Sequence, residues 1–164
     1  MNRIEDYINI KELVIDTVKD LNDRYAEDIF DYISASGDKC GGLIGNLFEK
    51  GMLRVSKRKA PKLDISHPSN DSVLGDIYSS ILAHGIEVKT CAGWGKNNAT
   101  VWVQGTIQDN TKTFLLADIR VINGKLVAKR VFYGDMSYKD WTIHMNKDMR
   151  IGPKKVKEYC KRII

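Results

Sequence analysis

The chain has 164 residues, 26 of them Lys or Arg and 21 Asp or Glu, for a formal charge of +5. That length supports one domain with a real core; no run of eighteen apolar residues offers a membrane span, and the N-terminus lacks the charged-then-apolar pattern of a secretory leader. Cys40, Cys91 and Cys160 are odd in number and lack metal-ligand spacing, so they read as reduced thiols in a cytoplasmic protein, and the absence of repeats, a Walker-type glycine loop or zinc-finger spacing removes NTP-driven and zinc-module functions.

In chain order, Ile8, Leu13, Val14, Val18 and Leu21 have the spacing of an amphipathic helix. A second helix is predicted over Tyr25 to Ile33 and is broken by Ser36-Gly37-Asp38. A third runs from Gly42 to Met52, ends near Gly51 and carries Glu49. Its glycines Gly42 and Gly45 each weaken helicity by roughly 1 kcal/mol relative to alanine, which suits close packing or close approach of a phosphate. The basic run Lys57-Arg58-Lys59 with Lys62 follows, a set of candidate phosphate contacts or else a solvated face.

Asp76 to Ile81 reads as a strand, Leu82-Ala83-His84-Gly85 as a turn, and Gly85 to Thr90 as the returning strand. Side chains alternate along a strand, so Glu87 and Lys89 share one face while Ile86 and Val88 point into an apolar layer. The hairpin brings Asp76 near Glu87. Two carboxylates without a Cys/His cluster make a hard-ligand site that suits Mg²⁺ or Mn²⁺ better than zinc. Asp71 is a rival for the hairpin carboxylate and Asp64 a more distant one; the short hairpin favours Asp76 because it needs no irregular insertion.

The glycine-flanked segment after Lys89 holds Trp94, Lys96, Asn97 and Asn98, placed either to contact nucleic acid or merely to connect strands. Strands are predicted over Thr100 to Ile107, Phe114 to Ile122 and Leu126 to Tyr133, the last two joined by the hairpin signal Asn123-Gly124. Asp135 to Arg150 reads as a cap or DNA-facing flap, and Pro153 opens a last helix through Tyr159. A second basic run, Lys154, Lys155, Lys157, Lys161 and Arg162, at the C-terminus offers further candidate phosphate contacts, or else a solvated face or frayed tail. His67, His84 and His144 have no partner motif and read as structural or exposed.

Helix Glu49 in Gly45-Asn46-Leu47-Phe48-Glu49, then Asp76, then Glu87-Val88-Lys89 resembles the PD-(D/E)xK nuclease superfamily, over roughly residues 42 to 120. The chain departs from that pattern at Gly75, where the family has a proline. The resemblance implies an α/β fold: a restriction-endonuclease-like core with a mixed central β-sheet flanked by helices and an N-terminal helical segment. One domain is expected, mainly helical over 1–52, with a catalytic sheet over 53–133 and a C-terminal cap over 134–164. It also implies that Asp76 and Glu87 hold Mg²⁺, with Mn²⁺ able to substitute, that Lys89 stabilises the transition state, and that Glu49 assists.

Charge is split along the chain: residues 1–50 hold 6 basic and 11 acidic residues, residues 51–164 hold 20 and 10. A basic body around an acidic pocket suits a metal-dependent enzyme acting on a polyanion. The leading expectation is a restriction endonuclease of a bacterium or phage, a homodimer cutting double-stranded DNA to 5′-phosphate and 3′-hydroxyl ends without a nucleotide cofactor. A repair nuclease or junction resolvase of the same superfamily, a noncatalytic DNA-binding protein, and a plain Glu87–Lys89 ion pair on a solvated sheet are the alternatives.

Overall fold

The structure is a computed structural model and describes residues 2–36, 42–68, 75–91, 101–103, 111–137, 142–143, 149–151 and 153–164. Three helices lead: α1 (Ile10–Arg24), α2 (Glu27–Ala35) and α3 (Leu43–Lys59). Asn9 caps α1 by accepting the Glu12 amide at 3.2 Å, satisfying one of the donors a helix start leaves open. Leu13, Val14, Thr17 and Leu21 of α1 are buried, as are Ile44, Phe48, Met52 and Val55 of α3, each set forming one stripe.

The third helix does not end near Gly51. It continues to Lys59, because Met52 and Val55 extend the apolar stripe and the helix packs on α1 through the Gly51 position. A Cβ there would lie 3.1 Å from the Thr17 side chain and 3.3 Å from Leu21, so glycine lets the two helices approach. Ion pairs tie the same helices outside the core: Asp20 binds Arg54 and, at 3.4 Å, Arg58, while Lys59 meets Asp16 at 2.5 Å.

The strands are β1 (Ile86–Cys91), β2 (Val101–Val103), β3 (Thr111–Ile122), β4 (Lys125–Ser137), β5 (Thr142–Ile143), β6 (Met149–Ile151) and β7 (Lys161–Arg162), with helix α4 (Pro153–Tyr159) before the last. Four of them form a mixed sheet in the order β1-β3-β4-β7, with β1 parallel to β3 and the other pairs antiparallel. The protein is therefore α/β, a four-stranded mixed sheet with helices. A second, three-stranded sheet has the order β2-β6-β5. Asn123 and Gly124 take φ of 50° and 73°, the left-handed pair a two-residue hairpin turn demands, and join β3 to β4. The Asn22 side chain bonds both the amide and the carbonyl of Leu126, anchoring this hairpin to α1.

One face of the larger sheet, with Ile86, Val88, Leu115, Ala117 and Val131, joins the helices in the main core. On the opposite face Phe114, Leu116 and Phe132 are buried together with Val156 and Cys160 from the α4 region. At Gly134 an added Cβ would meet the Tyr159 carbonyl oxygen at 2.6 Å and Cys160 Cα at 2.8 Å, so only glycine lets the end of α4 lie directly on β4. Among the described residues no helix is long and apolar enough to cross a membrane.

The segment from Asp76 to Ile81 is not a strand. Ile77 and Ile86 exchange two backbone bonds, at 3.1 and 2.8 Å, and Tyr78 and Ser66 exchange two more at 2.9 and 2.8 Å; a turn follows at Ser80. The chain here threads between Ser66 and β1, bridging each once. Ser79 donates to the Leu63 carbonyl and fixes the thread from its far end.

Candidate active site

The single bridge between Ile77 and Ile86 sets Asp76 beside the start of β1, as the hairpin reading requires. Asp76 Oδ2 accepts the Val88 amide at 2.6 Å, which fixes the carboxyl against the strand that carries Glu87 and Lys89. Just before it, Gly75 has a φ of 86°, and a Cβ would lie 3.0 Å from the Ile86 carbonyl carbon and oxygen. Proline locks φ near −65° and cannot take this conformation. The backbone therefore excludes proline at this position.

Glu87 is 5% exposed, yet both its oxygens are engaged: Lys89 Nζ lies 2.6 Å from Oε1 and Lys112 Nζ 3.3 Å from Oε2. The Glu87–Lys89 pair exists, but in a buried setting rather than on a solvated sheet. Lys112, at the head of β3 and 3% exposed, is a member of the cluster that the sequence reading passed over. The predicted strand begins two residues later, at Phe114; the observed strand starts at Thr111 and so buries Lys112, where an unpaired ammonium would be costly.

Glu49 of α3 reaches the same space. Its Oε1 lies 3.1 Å from His67 Nε2, and one ligand atom from each of Glu49, His67 and Asp76 falls within 4.8 Å of the others, close enough to hold a metal ion together. The structure thus brings Asp76, Glu87, Lys89 and Glu49 together, but groups the ligand atoms differently from the expected Asp76 and Glu87 pair. His67, read as structural or exposed, borders the centre; its sequence gave no spacing clue, since its partners lie 18 and 9 residues away.

Burial pushes the Asp76 carboxyl up, and the neighbouring Glu87 and Glu49 carboxylates add to this against the pull of Lys89, raising it to about 7. For Lys89 burial works against the charge, but Glu87 and Asp76 outweigh it and the ammonium is held above its ordinary value. The centre is therefore an acidic focus with a firmly charged lysine at its edge. Such a donor set, two carboxylates and an imidazole with Asp76 desolvated, could hold a divalent metal ion.

Of the expected nucleic-acid contacts, Lys57 and Lys62 are exposed, while Arg58 and Lys59 also serve the α1–α3 ion pairs. Trp94, Lys96, Asn97 and Asn98 lie outside the described residues, as do the rival Asp71 and His144. Asp64 is exposed, with a left-handed φ of 47° after the 3-10 turn Pro61–Leu63. No family description, curated protein or solved structure matches this chain.

Proposed function

We propose that the protein is a metal-dependent phosphodiesterase with a restriction-endonuclease-like core that cuts double-stranded DNA. The observation that carries this reading is the convergence of the buried Asp76 and Glu87 with the half-buried Lys89 and Glu49 in one cluster. Those residues are drawn from an α3 turn, the thread before β1, and β1 itself, and a plain surface ion pair has no need of them all.

Asp76, Glu49 and His67 would hold a divalent cation, Mg²⁺ or Mn²⁺, bordered by Glu87. Such an ion supplies Lewis acidity toward a phosphate oxygen and lowers the pKa of a bound water. Lys89 is oriented by Glu87 Oε1 and keeps its proton, so its ammonium can stabilise negative charge developing on the phosphorus centre. Lys112 neutralises the second oxygen of Glu87 and holds that carboxylate in place. Val88 presents its amide to Asp76, so the ligand is aimed before any substrate arrives. Cleavage would leave 5′-phosphate and 3′-hydroxyl ends. One site per chain cuts one strand, so a homodimer would serve both strands of a duplex.

The test is incubation of the protein with unmethylated plasmid and phage DNA in Mg²⁺ or Mn²⁺, beside EDTA and Lys89→Ala controls. Discrete fragments lost in both controls are the expected result, in keeping with a restriction enzyme. Cleavage confined to branched DNA would favour a junction resolvase. Absence of metal-dependent cleavage on duplex, single-stranded and branched DNA alike would sink the proposal.

A further inference from the structure

The second basic run of the sequence, at the C-terminus, has no part in the cluster around Asp76. We propose that Arg130, Lys157 and Arg162 form a phosphate-binding pocket that grips the DNA strand on the same sheet face as Lys89. The inference rests on the phosphodiesterase reading and deepens it.

Registry across the sheet supplies the link. Lys89 pairs with Leu116, Leu116 with Phe132, and Phe132 with Arg162, one continuous row across β1, β3, β4 and β7. Paired residues project from the same face of a sheet, so Lys89 and Arg162 emerge on one side. Three inter-strand spacings of about 4.8 Å separate them, about 14 Å in all. At 3.4 Å of rise per nucleotide on one strand, that span is about four nucleotides. Two rows along, on the same face, Asp118 pairs with Arg130, which brings a second guanidinium to the same region.

The pocket there has a volume of about 260 Å³ and is lined by Arg130, Phe132, Lys157, Cys160 and Arg162. Three cations stand over an apolar floor of Phe132 and Cys160, both buried, and a low-dielectric floor strengthens attraction for an anion. Asp118, which faces Arg130, is completely buried and receives the Arg120 fork on both oxygens at 3.0 Å each; Arg130 stands off at 3.6 Å. Asp118 therefore steadies Arg130 without cancelling the positive character of the pocket. Arg162 Nε donates to the Ile164 carbonyl at 2.6 Å, which sets the plane of its guanidinium. Val156, fully buried, and the close contact at Gly134 hold α4, and with it Lys157, on the sheet. Preset guanidiniums beside a lysine are the chemistry that recognises a phosphodiester.

The experiment measures binding of the full chain to a fluorescent 20-base-pair duplex by anisotropy, in EDTA, over a salt series, for the wild type and for Lys157→Gln/Arg162→Gln. Arg130 is left intact because it also faces the buried Asp118 carboxylate. About tenfold weaker binding at moderate salt is expected, with the logarithmic salt slope reduced by about one to two. Lys157→Arg/Arg162→Lys should restore both, and Mn²⁺ affinity should be unchanged in every variant. Acylation of Lys157, read by mass spectrometry, should be suppressed by duplex. Unchanged affinity and slope in the Gln variant, with cleavage by the wild type intact, would overturn the pocket and leave the phosphodiesterase standing. A wild type that binds no duplex at any salt would overturn both. Inorganic phosphate that protects Lys157 at submillimolar concentration while duplex does not would assign the pocket to free phosphate and overturn the proposal as well.

Discussion

Replacing Asp76 with Asn should make the metal-free protein more stable while depriving it of its metal. The Asp76 carboxyl is raised from 3.8 to about 7 by burial and by the carboxylates of Glu87 and Glu49. The folded state therefore holds a proton that the unfolded chain releases, so stability is greatest at low pH and falls as pH rises from about 4 to about 7, then levels off. At about 1.4 kcal/mol for each tenfold change, the full loss is about 4 kcal/mol. Asparagine has the same shape, carries no charge, and its side-chain oxygen can still accept the Val88 amide. Urea denaturation in EDTA should show the wild type losing stability between pH 4.5 and 8.5 and Asp76→Asn holding nearly constant. The two should be similar at pH 4.5 and differ by about 4 kcal/mol at pH 8.5, or about 8 to 16 °C in Tm for a chain of this size. Added Mn²⁺ should narrow the gap at pH 8.5, lifting the wild type by about 2.7 kcal/mol at a hundred times its Kd and leaving the variant where it was. Parallel pH profiles for the two proteins would refute the argument, because they would mean that Asp76 is not the group carrying the electrostatic load.

Lys89→Ala should reduce DNA cleavage by about 10² to 10³-fold while duplex affinity changes little, as single-turnover kinetics beside anisotropy would show. His67→Ala should lower Mn²⁺ affinity more than Mg²⁺ affinity, narrowing the preference between the two by about tenfold in calorimetric titration. Gly75→Ala should cost about 1 to 3 kcal/mol in denaturation, since a side chain at a φ of 86° is strained and its Cβ abuts the Ile86 carbonyl, and it should weaken metal binding by shifting Asp76. Cys160, whose thiol burial pushes up to about 12, should resist alkylation at pH 8 in the native protein and react on unfolding, as peptide mapping can follow.

Local signals in the sequence located much of this. The apolar spacing from Ile8 to Leu21 marks α1, Asn123-Gly124 marks the turn between β3 and β4, and Pro153 marks the last helix. Glu87 and Lys89 are read onto one face by alternation alone, and they do meet, at 2.6 Å. What failed was set at longer range. The end of α3 is decided by α1, whose Thr17 and Leu21 receive Gly51, and no local rule sees that partner. Asp76 to Ile81 has the composition of a strand but meets a neighbour for only one residue on each side. The parallel alignment of β1 with β3 brings Lys112 to Glu87 across 25 residues, and the fold alone delivers His67 to Glu49.

The two lysines on Glu87 have a further consequence, seen by adding the formal charges around the centre. With Asp76 ionised, three carboxylates face two ammoniums, and the balance is one negative charge. A divalent cation turns that into one positive charge, and a single phosphodiester brings it to zero. On the proposed reading, ion and strand complete each other's neutrality, so each should bind more tightly once the other is in place. Reciprocity of that kind is a coupling free energy, and it obliges Mn²⁺ to strengthen duplex binding by the same factor as duplex strengthens Mn²⁺ binding.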